Sequence, residues 1–362
     1  MQRNGLHLIF VLLALVGLTT APALGTSLTA QDEESRTGSS LSTAQQGCNY
    51  EQLYSETISS VALIQTQGGL GSGFLYNVSE NRTGYVITNN HVVNDTARVQ
   101  VTFTGSEAVP GTVIGTDAVA DLAVVRVNET PETAEQIQLA DSPPRPGERV
   151  AALGSPFGLR STITSGIISG VNRSVPTQRA FDVPNTIQTD APINPGNSGG
   201  PLVSCNSGAV VGVNTLGGGE NIGFAVPASI VERVVPQLIA EGDYEHSYMG
   251  VQVAEVSPLI AQANDLNATE GVIVLNTQGG TPASAELQES NRFEATEGMR
   301  VPVGGDVIVS IDGQPVDTPA DMARYLAVEG SPGDPVRLTV LRNGQREQVT
   351  VTLTNRPAPG DV

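Results

Sequence analysis

At 362 residues with 39% hydrophobic side chains, the chain is long enough for about two domains with ordinary cores. Its formal net charge is −19 and none of its basic residues is lysine, so no basic stripe is available to neutralise phosphates and nucleic acid is excluded as a partner. So acidic a surface fits an extreme halophile, where salt screens its self-repulsion.

Residues 1–25 carry Arg3, an apolar run from Leu6 to Leu18, and small residues at Ala21-Pro-Ala23. That pattern predicts a secretory leader, with an uncleaved anchor and membrane association through residues 6–18 as the alternative. Either reading puts the rest of the chain outside the cytoplasm, secreted or held at the outer face of the cell membrane. Residues 26–50 are rich in Ser, Thr, Gln and Gly, too polar to fold alone, and read as a flexible tether. The chain has two cysteines, Cys48 and Cys205, and on an exported protein they predict one disulfide.

From Val61 to Phe224 short β-branched runs alternate with glycine, among them Val61-Ala-Leu-Ile64, Tyr85-Val-Ile-Thr88, Leu122-Ala-Val-Val125 and Ala209-Val-Val-Gly-Val213. Strands at this spacing without intervening helices predict a mostly β fold, sandwich or barrel. Three histidines interrupt the chain: His7 in the leader, His91 at the end of an apolar strand, and His246 in a hydrophilic segment that reads as a linker. Asp121 stands in Ala118-Val-Ala-Asp-Leu-Ala-Val-Val125, an apolar setting where a carboxylate needs a partner. Asp117, Asp95 and Asp190 are the other candidates for an acid that orients a histidine. The stretch Asp190-Ala-Pro-Ile-Asn-Pro-Gly-Asn-Ser-Gly-Gly-Pro201 has the character of a nucleophile loop. Small neighbours leave the Ser198 hydroxyl unshielded, and the N–H groups of Gly196 and Ser198 are placed to hold an oxyanion. Losing one such donor raises a barrier by about 2.7–4 kcal/mol.

Ser229 to Gly242 reads as a helix with Ser229 as N-cap and Pro236 kinking or splitting it. Two histidines beyond the leader and two distant cysteines have no metal-ligand spacing, so neither metal nor cofactor is expected.

The order His91, Asp121, Ser198 is that of the chymotrypsin-like clan, and the surrounding segments resemble the HtrA (Deg-type) serine proteases. The matching pieces are Gly71-Ser-Gly-Phe74, Tyr85-Val-Ile-Thr-Asn-Asn-His-Val-Val93, Asp117-Ala-Val-Ala-Asp-Leu-Ala-Val124, Gly154-Ser-Pro-Phe-Gly158, Thr164-Ser-Gly-Ile-Ile-Ser169, Gln188 to Leu202, and Gly223-Phe-Ala-Val-Pro227. The resemblance implies a chymotrypsin-like double barrel of six strands each over residues 51–242, with His91 and Asp121 from the first barrel and Ser198 from the second. It implies a substrate pocket formed by Pro192, Ile193, Asn214, Thr215, Leu216, Ile222 and Phe224, without buried charge and suited to aliphatic side chains. After a hinge over 243–247, residues 248–356 resemble a PDZ domain, followed by a tail over 357–362. Tyr248, Met249, Gly250 and Val251 match its carboxylate-binding loop, which receives peptide C-termini. Glu286 to Gly304 is longer and more polar than the usual segment there. The family implies unfolded or misfolded proteins as substrates, in protein quality control and stress, and a homotrimer. A rival reading keeps the protease latent, acting as a chaperone or peptide-binding scaffold.

Overall fold

The computed structural model describes residues 48–155, 161–175 and 183–357. The leader over 1–25 and the tether as far as residue 47 lie outside the described residues.

The β-branched runs become two closed barrels because their side chains alternate between an apolar interior and an outer face. In the first, β1 (Val61–Gln65), β2 (Leu70–Val78), β3 (Gly84–Thr88), β4 (Arg98–Phe103), β5 (Ala108–Asp117) and β6 (Leu122–Val127) close in the order β1-β2-β3-β6-β5-β4. Along β4 the period of two is plain: Val99, Val101 and Phe103 are buried, joining Ile64, Leu75, Val86 and Val125 inside the barrel. The second barrel runs β10-β11-β12-β9-β8-β7, from β7 (Arg149–Gly154), β8 (Thr162–Val175), β9 (Val183–Thr189), β10 (Pro201–Ser204), β11 (Val210–Gly219) and β12 (Ile222–Pro227). Val150, Ile168, Ile187, Leu202 and Ala225 fill it. A third apolar cluster joins the barrels, from Phe74, Ile87 and Leu122 on one side to Leu153, Val203 and Val213 on the other. Burying each of these side chains stabilises the fold by about 1.5–3 kcal/mol and holds the two barrels together along their seam.

Helix α1 (Tyr50–Thr57) precedes β1, and α2 (Asn90–Val93) is one turn inserted after β3. Cys48 and Cys205 are joined by a disulfide with Cα atoms 5.4 Å apart, tying the segment before α1 to the end of β10. The helix expected over Ser229–Gly242 is α3 (Ala228–Ala240), and two details differ from the sequence reading. Its N-cap is Pro227, since β12 runs straight into it, and no side chain caps it. Pro236 lies inside the helix without splitting it, because it is on the exposed face while Val231, Val234, Val235 and Leu238 are buried against the barrels. The carbonyl freed by the proline faces water there, and burial of the opposite face holds the turn.

Beyond α3, β13 (Ser247–Tyr248), β14 (Val251–Glu255), α4 (Pro258–Ala263), β15 (Val272–Thr277) and α5 (Pro282–Glu286) lead to a hairpin of β16 (Arg292–Thr296) and β17 (Met299–Val303). Then follow β18 (Val307–Ile311), β19 (Gln314–Pro315), α6 (Pro319–Val328), β20 (Pro335–Arg342), β21 (Gln345–Thr352) and β22 (Thr354–Asn355). The main sheet has the order β14-β15-β18-β20-β21, which leaves β14 at an edge. The long polar stretch Glu286 to Gly304 is mostly the β16–β17 hairpin, a two-stranded sheet of its own turned at Glu297 and Gly298, both with positive φ. Arg300 stacks over the exposed Phe293 ring at 5.2 Å.

Helix α6 packs against β8 and β9 of the second barrel. Thr318 and Asp321 form a capping box at its start, and Asn172 of β8 donates to Asp321 at 2.6 Å. Burial pushes the Asp321 carboxyl up, but the hydrogen bonds from Thr318, Asp317 and Asn172 outweigh it and hold it below the ordinary carboxylate range. Arg233 of α3 donates to the carbonyls of Val328 and Gly330 and to Ser331. The segment read as a hinge is tied on both sides. His246 Nε2 meets Asp117 Oδ2 at 2.8 Å, and the His246 carbonyl accepts from Arg356 N–H.

Candidate active site

Asp121 ends the turn between β5 and β6 in the left-handed region, φ 55°, a conformation aspartate tolerates better than most residues. From there its carbonyl accepts from Asn90 N–H at 3.2 Å and from Asn89 Nδ2 at 2.9 Å, anchoring the start of α2. Its carboxylate accepts from His91 N–H through Oδ1 at 3.0 Å and meets His91 Nδ1 through Oδ2 at 2.7 Å. A carboxylate at Nδ1 holds the proton there and leaves Nε2 with a free lone pair. Thr215 Oγ1 donates to the same Oδ2 at 2.5 Å, so the buried carboxylate is satisfied from both barrels.

Ser198 reaches the same cleft from the second barrel, in the loop between β9 and β10. Asn194 to Asn197 form a turn closed by Asn197 N–H to Asn194 O at 2.9 Å, with Pro195 in second place and Gly196 in third at φ 104°, as a type II turn requires. Gly199 passes so near β2 that a Cβ on it would come within 2.1 Å of Ser72 O and 2.3 Å of Thr88 Oγ1. Gly199 N–H donates to Asn214 O at 2.8 Å and Asn214 N–H to Gly200 O at 2.9 Å. Among the described residues neither the Gly196 nor the Ser198 N–H has a hydrogen-bond partner, and both residues line the cleft. The Ser198 hydroxyl donates to Thr215 O at 2.8 Å, and no hydrogen bond joins it to His91.

The cleft holds about 620 Å³ and is lined by His91, Ser198, Gly196, Ile193 and Thr215, with Thr66, Gly68, Gly69 and Leu70 from the β1–β2 turn and Asn94 and Thr96 after α2. Of the residues that the resemblance assigns to a substrate pocket, Ile193 and Thr215 line this cleft. Pro192, Asn214, Ile222 and Phe224 do not line it. The Pro192 carbonyl is taken by Thr164 Oγ1 at 2.9 Å, and Asn214 is wholly buried while it braces Gly199 and Gly200. Phe224 and Ile222 pack against Gly218, where a Cβ would stand 2.8 Å and 3.0 Å from them. The Leu216 side chain is outside the described residues. Sequence reading missed the β1–β2 turn, whose only mark is the Gly68-Gly69 pair; barrel closure is what brings it opposite Ile193. Of the other carboxylates considered, Asp117 pairs with His246, Asp190 accepts from Ile167 N–H at 2.7 Å, and Asp95 is exposed.

A second cavity of about 680 Å³ lies between β14 and α6. Tyr248, Val251 and Val253 line one wall, Met322, Ala323 and Leu326 another, and Val119, Ser174 and Pro184 of the barrels close it. Met249 faces the other way into the core, and Gly250, φ 79°, offers its carbonyl to Gln278 N–H at 2.7 Å.

Residues 71–213 match the family model of the trypsin-like peptidase domain and residues 247–353 that of the PDZ domain. The chain is 36% identical to the periplasmic pH-dependent serine endoprotease DegQ of Escherichia coli over 291 residues, 79% of this chain and 59% of that protein. It is 36% identical to a probable periplasmic serine endoprotease DegP-like of Halomonas elongata, over 80% of this chain and 57% of the relative. The chain thus spans little more than half the length of these curated relatives. Among solved structures, the HtrA-type protease AlgW with a tripeptide superposes with a TM-score of 0.68 at 30% identity, covering 86% of this chain and 99% of that one. Two six-stranded barrels, a histidine, aspartate and serine at their seam, and a PDZ domain after them agree with these likenesses, and the chain belongs to the HtrA (Deg-type) family of trypsin-like serine proteases with one C-terminal PDZ domain.

Proposed function

We propose that the protein is an extracytoplasmic serine endopeptidase that cleaves unfolded or damaged proteins. The observation that carries this reading is the cleft itself: a His91–Asp121 pair with Nε2 free, and the Ser198 hydroxyl beside two unpartnered N–H groups. Ser198 Oγ attacks the scissile carbonyl as its proton passes to His91 Nε2, and Asp121 stabilises the imidazolium that forms. The N–H groups of Gly196 and Ser198 hold the oxyanion. The C–N bond then breaks, His91 returns the proton to the leaving amine, and a water activated by the same imidazole hydrolyses the acyl-enzyme. Ile193 and Leu70 give the cleft apolar walls, and among the described residues no carboxylate or guanidinium lines it, which supports a preference for aliphatic side chains before the scissile bond.

The free edge of β14 opposite α6 supports docking of a peptide C-terminus as an added strand, with Tyr248 to Val251 at its carboxylate end. The periplasmic relatives, the Cys48–Cys205 disulfide and the apolar run over residues 6–18 support a place outside the cytoplasm, free or membrane-held. A homotrimer and a salt-adapted surface complete the reading.

Ser198→Ala tests it. Casein cleavage in high salt and labelling by a fluorophosphonate should both vanish while the melting curve stays in place. A variant that still cleaves overturns the assignment. The bond from Ser198 to Thr215 O favours a second reading, in which the site rests and the protein holds peptides until triggered. Labelling that rises when a C-terminal peptide is added supports this resting state, and equal labelling without peptide removes it.

A further inference from the structure

The loop from Gly196 to Gly199 has three peptide units, and the hydrogen bonds of each can be followed. Asn197 N–H goes to Asn194 O, Asn197 O receives Gly200 N–H, and Gly199 N–H goes to Asn214 O, all within the second barrel. The two remaining carbonyls are held from the first barrel by one residue. Ser72 Oγ donates to Gly196 O at 2.6 Å and Ser72 N–H donates to Ser198 O at 2.7 Å. Of these three units only the Ser198 N–H is without a partner among the described residues, and its unit is flanked on both sides by units that Ser72 grips; the Gly196 N–H belongs to the preceding Pro195–Gly196 unit.

Ser72 has no freedom to do otherwise. It is fully buried in β2, and its own carbonyl accepts from Thr88 Oγ1 at 2.6 Å, next to the strand end that carries His91. Ser155 N–H donates to Ser72 Oγ at 2.8 Å. A backbone N–H cannot accept, so the single hydroxyl proton of Ser72 must point to Gly196 O. The polarity of that bond is therefore built in, and it holds the Gly196 carbonyl on the side of the loop that faces the first barrel.

We propose that Ser72 is a positioning residue, which sets the peptide planes of the oxyanion-binding loop and keeps that loop in register with the barrel that carries His91 and Asp121. The proposal rests on the reading of Ser198 as nucleophile. A preorganised donor contributes in the transition state far more than in the ground state, so removing its support lowers turnover and spares substrate binding.

The test uses the full chain with Ser72→Ala, which deletes the hydroxyl and keeps the backbone N–H, and Ser72→Cys, which keeps the shape with a weaker donor. For Ser72→Ala, kcat on a peptide substrate should fall about tenfold to a hundredfold with KM within about threefold, and affinity for a peptide boronic acid should fall by the same factor as kcat/KM. Ser72→Cys should lie between. Turnover of Ser72→Ala within about twofold of the unsubstituted protein overturns the proposal, as does a KM that rises as much as kcat falls. Failure of both variants to melt cooperatively also overturns it, because Ser72 would then serve the fold and not the site. An unsubstituted protein that neither hydrolyses peptide nor reacts with a fluorophosphonate sinks the nucleophile assignment instead.

Discussion

Two histidine–carboxylate pairs leave the same turn of the first barrel. Asp117 ends β5 and Asp121 stands just before β6; one pairs with His246 at 2.8 Å and the other with His91 at 2.7 Å. Both carboxylates are sealed, at 3% and 7% side-chain exposure, yet the imidazoles differ: His246 is 13% exposed and His91 31%. The ring atom used differs too. Asp121 takes Nδ1 of His91, leaving the outer nitrogen for the cleft, whereas Asp117 takes Nε2 of His246 and the ring stacks edge-on against Tyr244 at 4.8 Å. The same chemical pair thus fits the proposed proton transfer where the outer ring nitrogen is left to the cleft, and a tie to the first barrel where the ring is only 13% exposed.

The sharpest way to break this contrast is to exchange the effects. His91→Ala should lower peptide hydrolysis by roughly 10⁴–10⁶-fold with little change in melting temperature. His246→Ala should instead cost about 1–3 kcal/mol of stability, read from urea unfolding, with kcat nearly unchanged. If both lose activity alike, the second pair is part of the chemistry.

Asp117→Ala sharpens it further. That change leaves the half-buried imidazole without its carboxylate and also removes the acceptor for Val119 N–H, at 2.9 Å, inside the turn that leads to Asp121. A loss of about 1–3 kcal/mol is expected together with a fall in kcat smaller than about tenfold, since the His91 contacts remain. Steady-state kinetics beside urea unfolding would separate the two effects.

The smallest expected effect is at Asp321, a carboxylate in the same interface without a histidine. Asp321→Ala removes the cap of α6 and the bond to Asn172 and should cost about 1 kcal/mol. Its folded-state pKa is lowered, so the stability it contributes is present above the ordinary carboxylate range and is lost as pH falls through the lowered value. The difference in melting temperature between variant and unsubstituted protein should therefore be constant near neutrality and shrink in acid. A difference that persists unchanged at the lowest pH assigns the effect to packing.

Much of this was legible in the sequence wherever a residue's neighbours along the chain decide its fate. The period of two gave the strands, apolar flanks marked Asp121 as buried, and small residues marked the Ser198 loop. What was not legible depends on closure and docking. Nothing near His246 announces Asp117, 129 residues away, and its hydrophilic surroundings suggested solvent. Ser72 lies between two glycines in a strand, and only the approach of the second barrel gives its hydroxyl a purpose. The resemblance puts Asn214 and Phe224 in a pocket wall, but Asn214 is wholly buried beside Gly199 and Gly200, and Phe224 packs against Gly218. Pro236 was read as a breaker because local propensity cannot see which face of α3 is buried.

The cross-link joins Cys48 and Cys205 across a sequence separation of 157, and His91, Asp121 and Ser198 all fall inside that ring. Under tension applied at the two ends of the chain, the enclosed stretch cannot pay out, and about 500 Å of contour stays hidden. A single nick anywhere between Cys48 and Cys205 likewise leaves both pieces on one covalent frame. On the proposed endopeptidase reading, a stray cut in that ring would open a loop without setting any of the three side chains adrift.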